Sequence, residues 1–339
     1  MMTTSPTDSS FNFFLPTSQP LNLVYTASGT NPPPAVAGYY NFDVVTSPSD
    51  VSYSLPAGYQ GMALLTTGVE SGLNVLYGDI GFVDTGSSDA IALGAGNDTV
   101  GGAQGDTITG GTGNDFIDGT AGTQSITAGS GGNETIWGGA GDWISGGNGA
   151  NVTIGGAQGD TITGGAATTF IDGSAGNQSI TGGIAGNETI WGGAGDTING
   201  GVGANVTIGG VQGDVINGGI GNAFIDASAG KQSVTGGVTG SETVWGGAGD
   251  TMVGSSGQML IGFGGGPEFF SDNGSGGGSD SIGNFSQSAG DRILLNISDS
   301  VNTVLATQTV SGGNTTITFF NGIQLTLLGV TNLNSSFFA

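Results

Sequence analysis

Single aliphatic residues recur along the chain at a fixed interval, each flanked by small polar residues. Ile108, Ile126, Ile144, Ile162, Ile180, Ile198, Ile216, Val234 and Met252 are spaced by 18 throughout. A second column, Val100, Ile117, Ile136, Ile154, Ile171, Ile190, Ile208, Ile225 and Val244, is spaced by 17 to 19. A triplet such as Thr107-Ile108-Thr109 describes a short strand with its aliphatic side chain inward and its neighbours outward. Two such strands per 18-residue coil, separated by glycine-rich turns, predict an all-β fold: a flattened parallel β-solenoid with one aliphatic layer from each of two sheets. That core is thin, so the turns must contribute stability that burial alone does not.

A longer period of 54 is laid over the coil. Gly101–Ile154 and Gly155–Ile208 share 42 of 54 residues, and Gly209–Gly262 continues the series. Trp137, Trp191 and Trp245 recur at that spacing, as do Phe116, Phe170 and Phe224. Glycine makes up 73 of 339 residues, about three times ordinary usage, which alone would suggest low-complexity disorder. A disordered polymer has no reason to hold bulky aromatics in register, so the repeat is a folded one.

The turns point to a metal. Gly110-Gly111-Thr112-Gly113-Asn114-Asp115-Phe116-Ile117 fits the nonapeptide G-G-x-G-x-D-x-U-x, and Gly94-Ala95-Gly96-Asn97-Asp98-Thr99-Val100 fits nearly as well. Glycines allow positive φ, which turns main-chain carbonyls toward a cation, and the Asp adds a hard carboxylate oxygen. On these residues the chain resembles the RTX, or hemolysin-type, calcium-binding family over roughly Val75 to Asp291. The resemblance implies a parallel β-roll with Ca²⁺ held between turns of neighbouring coils.

The turn positions depart from the motif in many coils. One edge reads Asp106, Gln124, Asp142, Asp160, Gln178, Asp196, Asp214, Gln232, Asp250; the other reads Asp98, Asp115, Glu134, Val152, Thr169, Glu188, Val206, Ala223, Glu242. Vertically adjacent Asp carboxylates survive at Asp98/Asp115, Asp142/Asp160 and Asp196/Asp214, the best calcium positions. Asp106 and Asp250 have a carboxylate on one side only. Gln124, Gln178 and Gln232 suit side-chain amide ladders between coils. The alternative for each Asp is a turn residue bonding its own backbone.

Charge removes several functions. Asp and Glu total 26 against two basic residues, Lys231 and Arg292, a net charge of −24. Nucleic-acid binding needs a basic footprint that two cations do not supply. With no His and no Cys, there is no Ser-His or Cys-His nucleophile pair and no ordinary zinc site. The acidic residues follow the turn period rather than converging on one cleft, so the expectation is a protein that is not an enzyme. No run of about 18 apolar residues offers a membrane span. Met1 to Asn12 lacks the basic and apolar regions of an ordinary signal peptide.

The two ends differ from the repeat. Residues 1–72 hold eight of the nine prolines and several apolar runs; the expectation is a disordered start, Met1–Ser10, then a β-rich region, either a small sandwich or an N-terminal cap. Residues 73–265 form the solenoid. Within residues 266–339, Asp280-Ser281-Ile282-Gly283-Asn284-Phe285 and Gly290-Asp291-Arg292-Ile293-Leu294-Leu295 look like the segment that caps RTX rolls. Period-2 alternation around Asn321-Gly322 predicts a hairpin. The ending from Gly329 to Ala339 is similar to uncleaved C-terminal signals of type I secretion, which makes the expected location extracellular or at the cell surface. Phe285, Ile293 and Leu295 are expected to cover the last coil, with the tail after Gly329 accessible.

Two outward faces could bind. One carries Thr and Ser pairs such as Thr107/Thr109 and Thr161/Thr163, resembling ice-binding solenoids but interrupted by Trp143 and Val215. The other carries Phe116, Trp137, Phe170, Trp191, Phe224 and Trp245 with Asp118, Asp172 and Asp226. Such a row could stack on polysaccharide rings or pack against another solenoid; the alternative is a cross-strand Phe–Trp pair serving its own sheet. The expected function is a secreted, calcium-stabilised structural or adhesive protein of a bacterial surface, matrix or filament that self-associates. Polysaccharide binding, or less strongly ice binding, is the second reading.

Overall fold

The computed structural model describes residues 20–27, 30–46, 52–54, 56–66, 73–77, 80–84, 87–203, 205–272, 274 and 278–339. The expected disordered start and the apolar segment Phe11–Leu15 lie outside the described residues. The chain divides into two compact units, Met1–Ile154 and Gly155–Ala339.

In the first unit, strands Leu21–Ala27, Tyr40–Thr46, Gly61–Thr66, Ile80–Asp84, Thr99–Gly101, Phe116–Gly119 and Asn133–Gly138 pair in parallel as one sheet. Between them in sequence, Ser52–Ser54, Leu73–Tyr77, Ala90–Ala92, Thr107–Thr109, Ser125–Thr127 and Trp143–Ser145 pair in parallel as a second. Alternation between two parallel sheets is the solenoid coil that the aliphatic period predicts. Among the described residues the ladder begins at Leu21, and the described strands before residue 73 belong to the same parallel coil rather than to a sandwich.

The second unit repeats the plan. One sheet runs through Thr168–Gly173, Asn187–Gly192, Asn205–Gly209, Asn222–Asp226, Ser241–Trp245, Gln258–Gly262 and Ser279–Gly283. The other runs from Thr161–Thr163 through Val215–Asn217 to Arg292–Leu294. Register is set by the aliphatic columns: Ile180 faces Ile198, Ile198 faces Ile216, and Ile190 faces Ile208. These side chains are buried, and slipping a strand by one residue would turn each Ile to solvent.

Glycine in the nonapeptide turn has a role other than the expected one. Gly110, Gly111 and Gly113 do not adopt positive φ. A Cβ at Gly111 or Gly113 would instead overlap the carbonyl oxygens of Gly94 and Gly96 in the coil before. The turn needs glycine there because backbones of adjacent coils touch.

The C-terminal end of the second unit is closed. Asn314–Thr318 and Gln324–Leu327 form the expected antiparallel hairpin, and the latter strand pairs in parallel with Ser279–Gly283. Phe285 stacks between Phe263 and Phe337, with centroids 5.7 and 5.6 Å away. Phe285 and Ile293 are buried as expected, and Leu295 is half-buried. The tail corrects the sequence expectation: Leu333, Phe337 and Phe338 are buried, and the Ala339 amide donates to the Ile293 carbonyl at 3.1 Å. The last residues are part of the cap because their apolar side chains cover the otherwise open edge of the Ile293 strand.

Candidate functional site: buried carboxylate edges and an exposed aromatic row

Every Asp of the first edge is buried, and its carboxylate is a clamp for backbone amides. Asp142 accepts from Gly139 in its own turn and from Gln124 in the coil before, both at 2.7 Å. Asp196 repeats this with Gly193 and Gln178 at 2.7 Å, and Asp214 with Val211 at 2.7 Å and Asp196 at 3.0 Å. Asp250 takes Gly247 at 2.7 Å and Gln232 at 2.8 Å. Asp106 takes Ala103 at 2.6 Å and Asp89 at 3.0 Å, and Asp160 takes Ala157 at 2.6 Å. At Asp106, Asp142, Asp196, Asp214 and Asp250 one oxygen closes the turn and the other ties it to the coil before, so the side chain answers two amides that the turn leaves without carbonyl partners. Burial pushes the carboxyls of Asp196, Asp214 and Asp250 up, while these amides pull them down.

Of the three Asp pairs, two are joined within a unit. Asp98 donates its amide to Asp115 at 3.0 Å, and Asp196 donates to Asp214. Asp142 lies in the first unit and Asp160 in the second. The glutamine ladder is corrected: Gln124 and Gln178 donate to Gly119 and Gly173 in their own coils, at 3.1 and 2.9 Å. A ladder needs like residues in successive coils, whereas these glutamines stand 54 residues apart. Asparagine builds the ladder instead. Asn114 donates to Asn97, Asn133 to Asn114 and Asn151 to Asn133, at 2.8, 3.0 and 2.7 Å. Asn205 donates to Asn187 at 3.0 Å in the second unit. The signal was present in sequence as an Asn column at coil spacing.

The second edge is electrostatically different. Asp98, Asp115 and Glu134 occupy one position in successive coils, as the register of their strands shows. Asp115 is clamped by Gly111 at 2.7 Å and by Asp98. Glu134 is buried with no hydrogen bond completed at either carboxylate oxygen. Desolvation, then the charges of Asp115 and Asp98, push its pKa up to about 8. Glu188 and Glu242, each 54 residues further on, are pushed to about 7, mainly by burial. The first edge has one such acid too: Glu268, in register between Asp250 and Asp291, is pushed to about 8 by burial and then by the charge of Asp291. Sequence reasoning placed Glu134, Glu188 and Glu242 on the edge but missed that they are buried acids.

Calcium takes six to eight oxygen ligands. On the first edge the Asp carboxylate oxygens hold backbone amides, whereas both oxygens of Glu268 complete no hydrogen bond. At Asp98, Asp115 and Glu134 the donor chemistry fits a hard cation, since three buried carboxyl groups stand in one stack and the oxygens of Glu134 complete no hydrogen bond. Among the described residues no three acidic side chains converge on a single ion position.

The clamp gives a direct prediction. Asp196→Ala removes the acceptor of two buried amides, at roughly 1–3 kcal/mol for each group left unsatisfied. A chemical denaturation midpoint well below that of the parent is expected in EDTA as much as in calcium. An equal loss appearing only in calcium would make Asp196 an ion ligand instead.

The aromatic row is exposed. Trp137, Phe170, Trp191, Phe224 and Trp245 keep 36 to 55% of their surface in solvent, and Phe116 is half-buried. The structure brings these residues to the outward face of one sheet within each unit: Phe116 and Trp137 in the first, the other four in the second. Phe224 and Trp245 form an edge-to-face pair at 5.6 Å, so the cross-strand reading holds there without removing Trp245 from solvent. On the opposite sheet, exposed Trp143 and Val215 break the Thr and Ser columns. No protein-family model, curated protein or solved structure matches the chain.

Proposed function

We propose that the chain is a secreted, structural and adhesive solenoid that self-associates and is stabilised by calcium at its stacked carboxylates. The observation that carries this reading is the regular row of exposed aromatics on a thin, two-sheet coil. Large apolar side chains gain more by covering one another than by facing water, and their repetition favours a partner that is itself periodic. The resemblance to RTX turns and the C-terminal segment support export, with the cap forming as the chain folds outside. Calcium supplies positive charge to a chain at −24, whose self-repulsion opposes both compaction and contact between copies. Ions bound only by the folded form stabilise it by mass action, each site adding about 2.7 kcal/mol at a hundredfold excess over Kd.

Sedimentation of the full chain with millimolar calcium and with EDTA tests this. Association that grows with calcium is expected. A clean monomer at tens of micromolar protein in calcium would end the self-associating reading, and identical melting curves in calcium and EDTA would end the role of the ion.

A further inference from the structure

In the second unit the outward position after each core aliphatic reads Asp172, Trp191, Gly209, Asp226, Trp245 and Gly262 in successive coils, in direct register. An Asp–Trp–Gly triplet therefore occurs twice along one face. The indole of Trp191 occupies the space that a side chain at Gly209 would fill, and nearly half of it remains open to solvent. Trp245 stands beside Gly262, with Cδ1 3.8 Å from where a Cβ would be, and Phe224 meets it edge-on.

The carboxylates are held as firmly as the rings. Asp172 and Asp226 are half-buried, and each accepts the amide two residues on, Ser174 at 3.1 Å and Ser228 at 3.0 Å. They are the register neighbours of Trp191 and Trp245. The strands of this face carry no cation: Lys231 lies in a turn, and Arg292 is on the other sheet.

Building on the adhesive reading, we propose that the two triplets bind a cationic amino-sugar polymer. Hexosamine rings stack on Trp191 and Trp245, and their ammonium groups pair with Asp172 and Asp226. Charge complementarity selects this occupant, because a face whose charged side chains are all carboxylates, on a chain at −24, repels anionic glycans, and repels a second copy as well until calcium neutralises both. The indole face attracts both the apolar side of a pyranose and a nearby ammonium. The triplets are three coils apart, about 14 Å at strand spacing, so one extended glycan meets both and the second contact is intramolecular.

Calorimetric titration of the full chain with soluble glucosamine oligomers, beside N-acetylglucosamine and neutral glucan oligomers of equal length, is the test. Trp191→Ala with Trp245→Ala leaves net charge unchanged and is expected to raise the Kd for the glucosamine oligomer about tenfold or more, a loss of at least about 1.4 kcal/mol. Asp172→Asn with Asp226→Asn is expected to lower affinity for the amino sugar and not for the neutral oligomers. Far-UV melting curves of both variants should match the parent. Unchanged binding in the tryptophan variant would reduce the effect to general polyelectrolyte attraction and overturn the site, and neutral oligomers binding as tightly as glucosamine would overturn the amino-sugar assignment. Sedimentation in calcium reads self-association separately: a monomer that keeps tryptophan-dependent glycan binding sinks only the self-associating reading.

Discussion

Raising the pH from about 5 to about 9 in EDTA is expected to lower the melting temperature of this protein steeply. Four buried glutamates carry the effect: Glu134 and Glu268, pushed to about 8, and Glu188 and Glu242, pushed to about 7, from 4.5. An acid whose folded pKa lies above its unfolded one holds its proton more tightly when folded. Stability is therefore complete below the unfolded value, near 4.5, and is lost as pH rises through 7 and 8. At about 1.4 kcal/mol per pKa unit, shifts of this size correspond to roughly 3–5 kcal/mol each before solvent screening reduces them, and ordinary domains have only about 5–15 in total. Raised Asp280, at about 6, and the upward-shifted Asp115, Asp196, Asp214, Asp250 and Asp291 act in the same direction. Glutamine resembles the protonated acid in shape and charge, so Glu188→Gln with Glu242→Gln should flatten the alkaline fall. Circular dichroism melts across the pH range measure it, and a flat profile in the parent would refute the buried-acid account. Calcium should blunt the loss to the extent that it replaces the missing protons at Glu134.

The core was legible because it is one-dimensional: a single Ile per strand at coil spacing leaves one register, and Ile108, Ile126 and Ile144 occupy it. The Asp edges were legible as positions but not as chemistry. Whether Asp196 offers its carboxylate to an ion or to the amides of Gly193 and Gln178 depends on turn geometry, which residue type does not encode. Glycine misled for the same reason, since Gly113 answers a close backbone approach rather than a left-handed turn. The Asn97–Asn114–Asn133–Asn151 ladder was visible as a column yet outshone by glutamines that recur at the wrong spacing. Pairing of Trp191 with Gly209 across strands became readable only once the register was known, because neither residue marks the other in sequence. The tail after Gly329 has the polar and aromatic composition of an exposed peptide, and only the open strand edge at Ile293 shows where Phe337 and Phe338 go.

Removing Thr331–Ala339 is expected to destabilise the second unit severely rather than leave its spectrum unchanged. The deletion strips buried Leu333, Phe337 and Phe338 from the end of the coil stack and separates Phe285 from its stacking partner Phe337. Losing one buried Phe side chain costs about 3–5 kcal/mol, and two go together. The Ile293 carbonyl also loses its amide from Ala339, which leaves the edge of the Arg292–Leu294 strand open as a template for another chain. The truncated protein should therefore melt earlier and form end-to-end aggregates that the intact cap prevents. Phe337→Ala separates the two effects, because it weakens packing while Phe338 still bridges Ile293; it should lower the melting temperature with little aggregation. If the segment is also the export signal, it can be read only before the cap folds, so variants that speed folding inside the cell should reduce secretion. A truncated chain that melts with the parent and stays monomeric would show that the coil ends without help from its last residues.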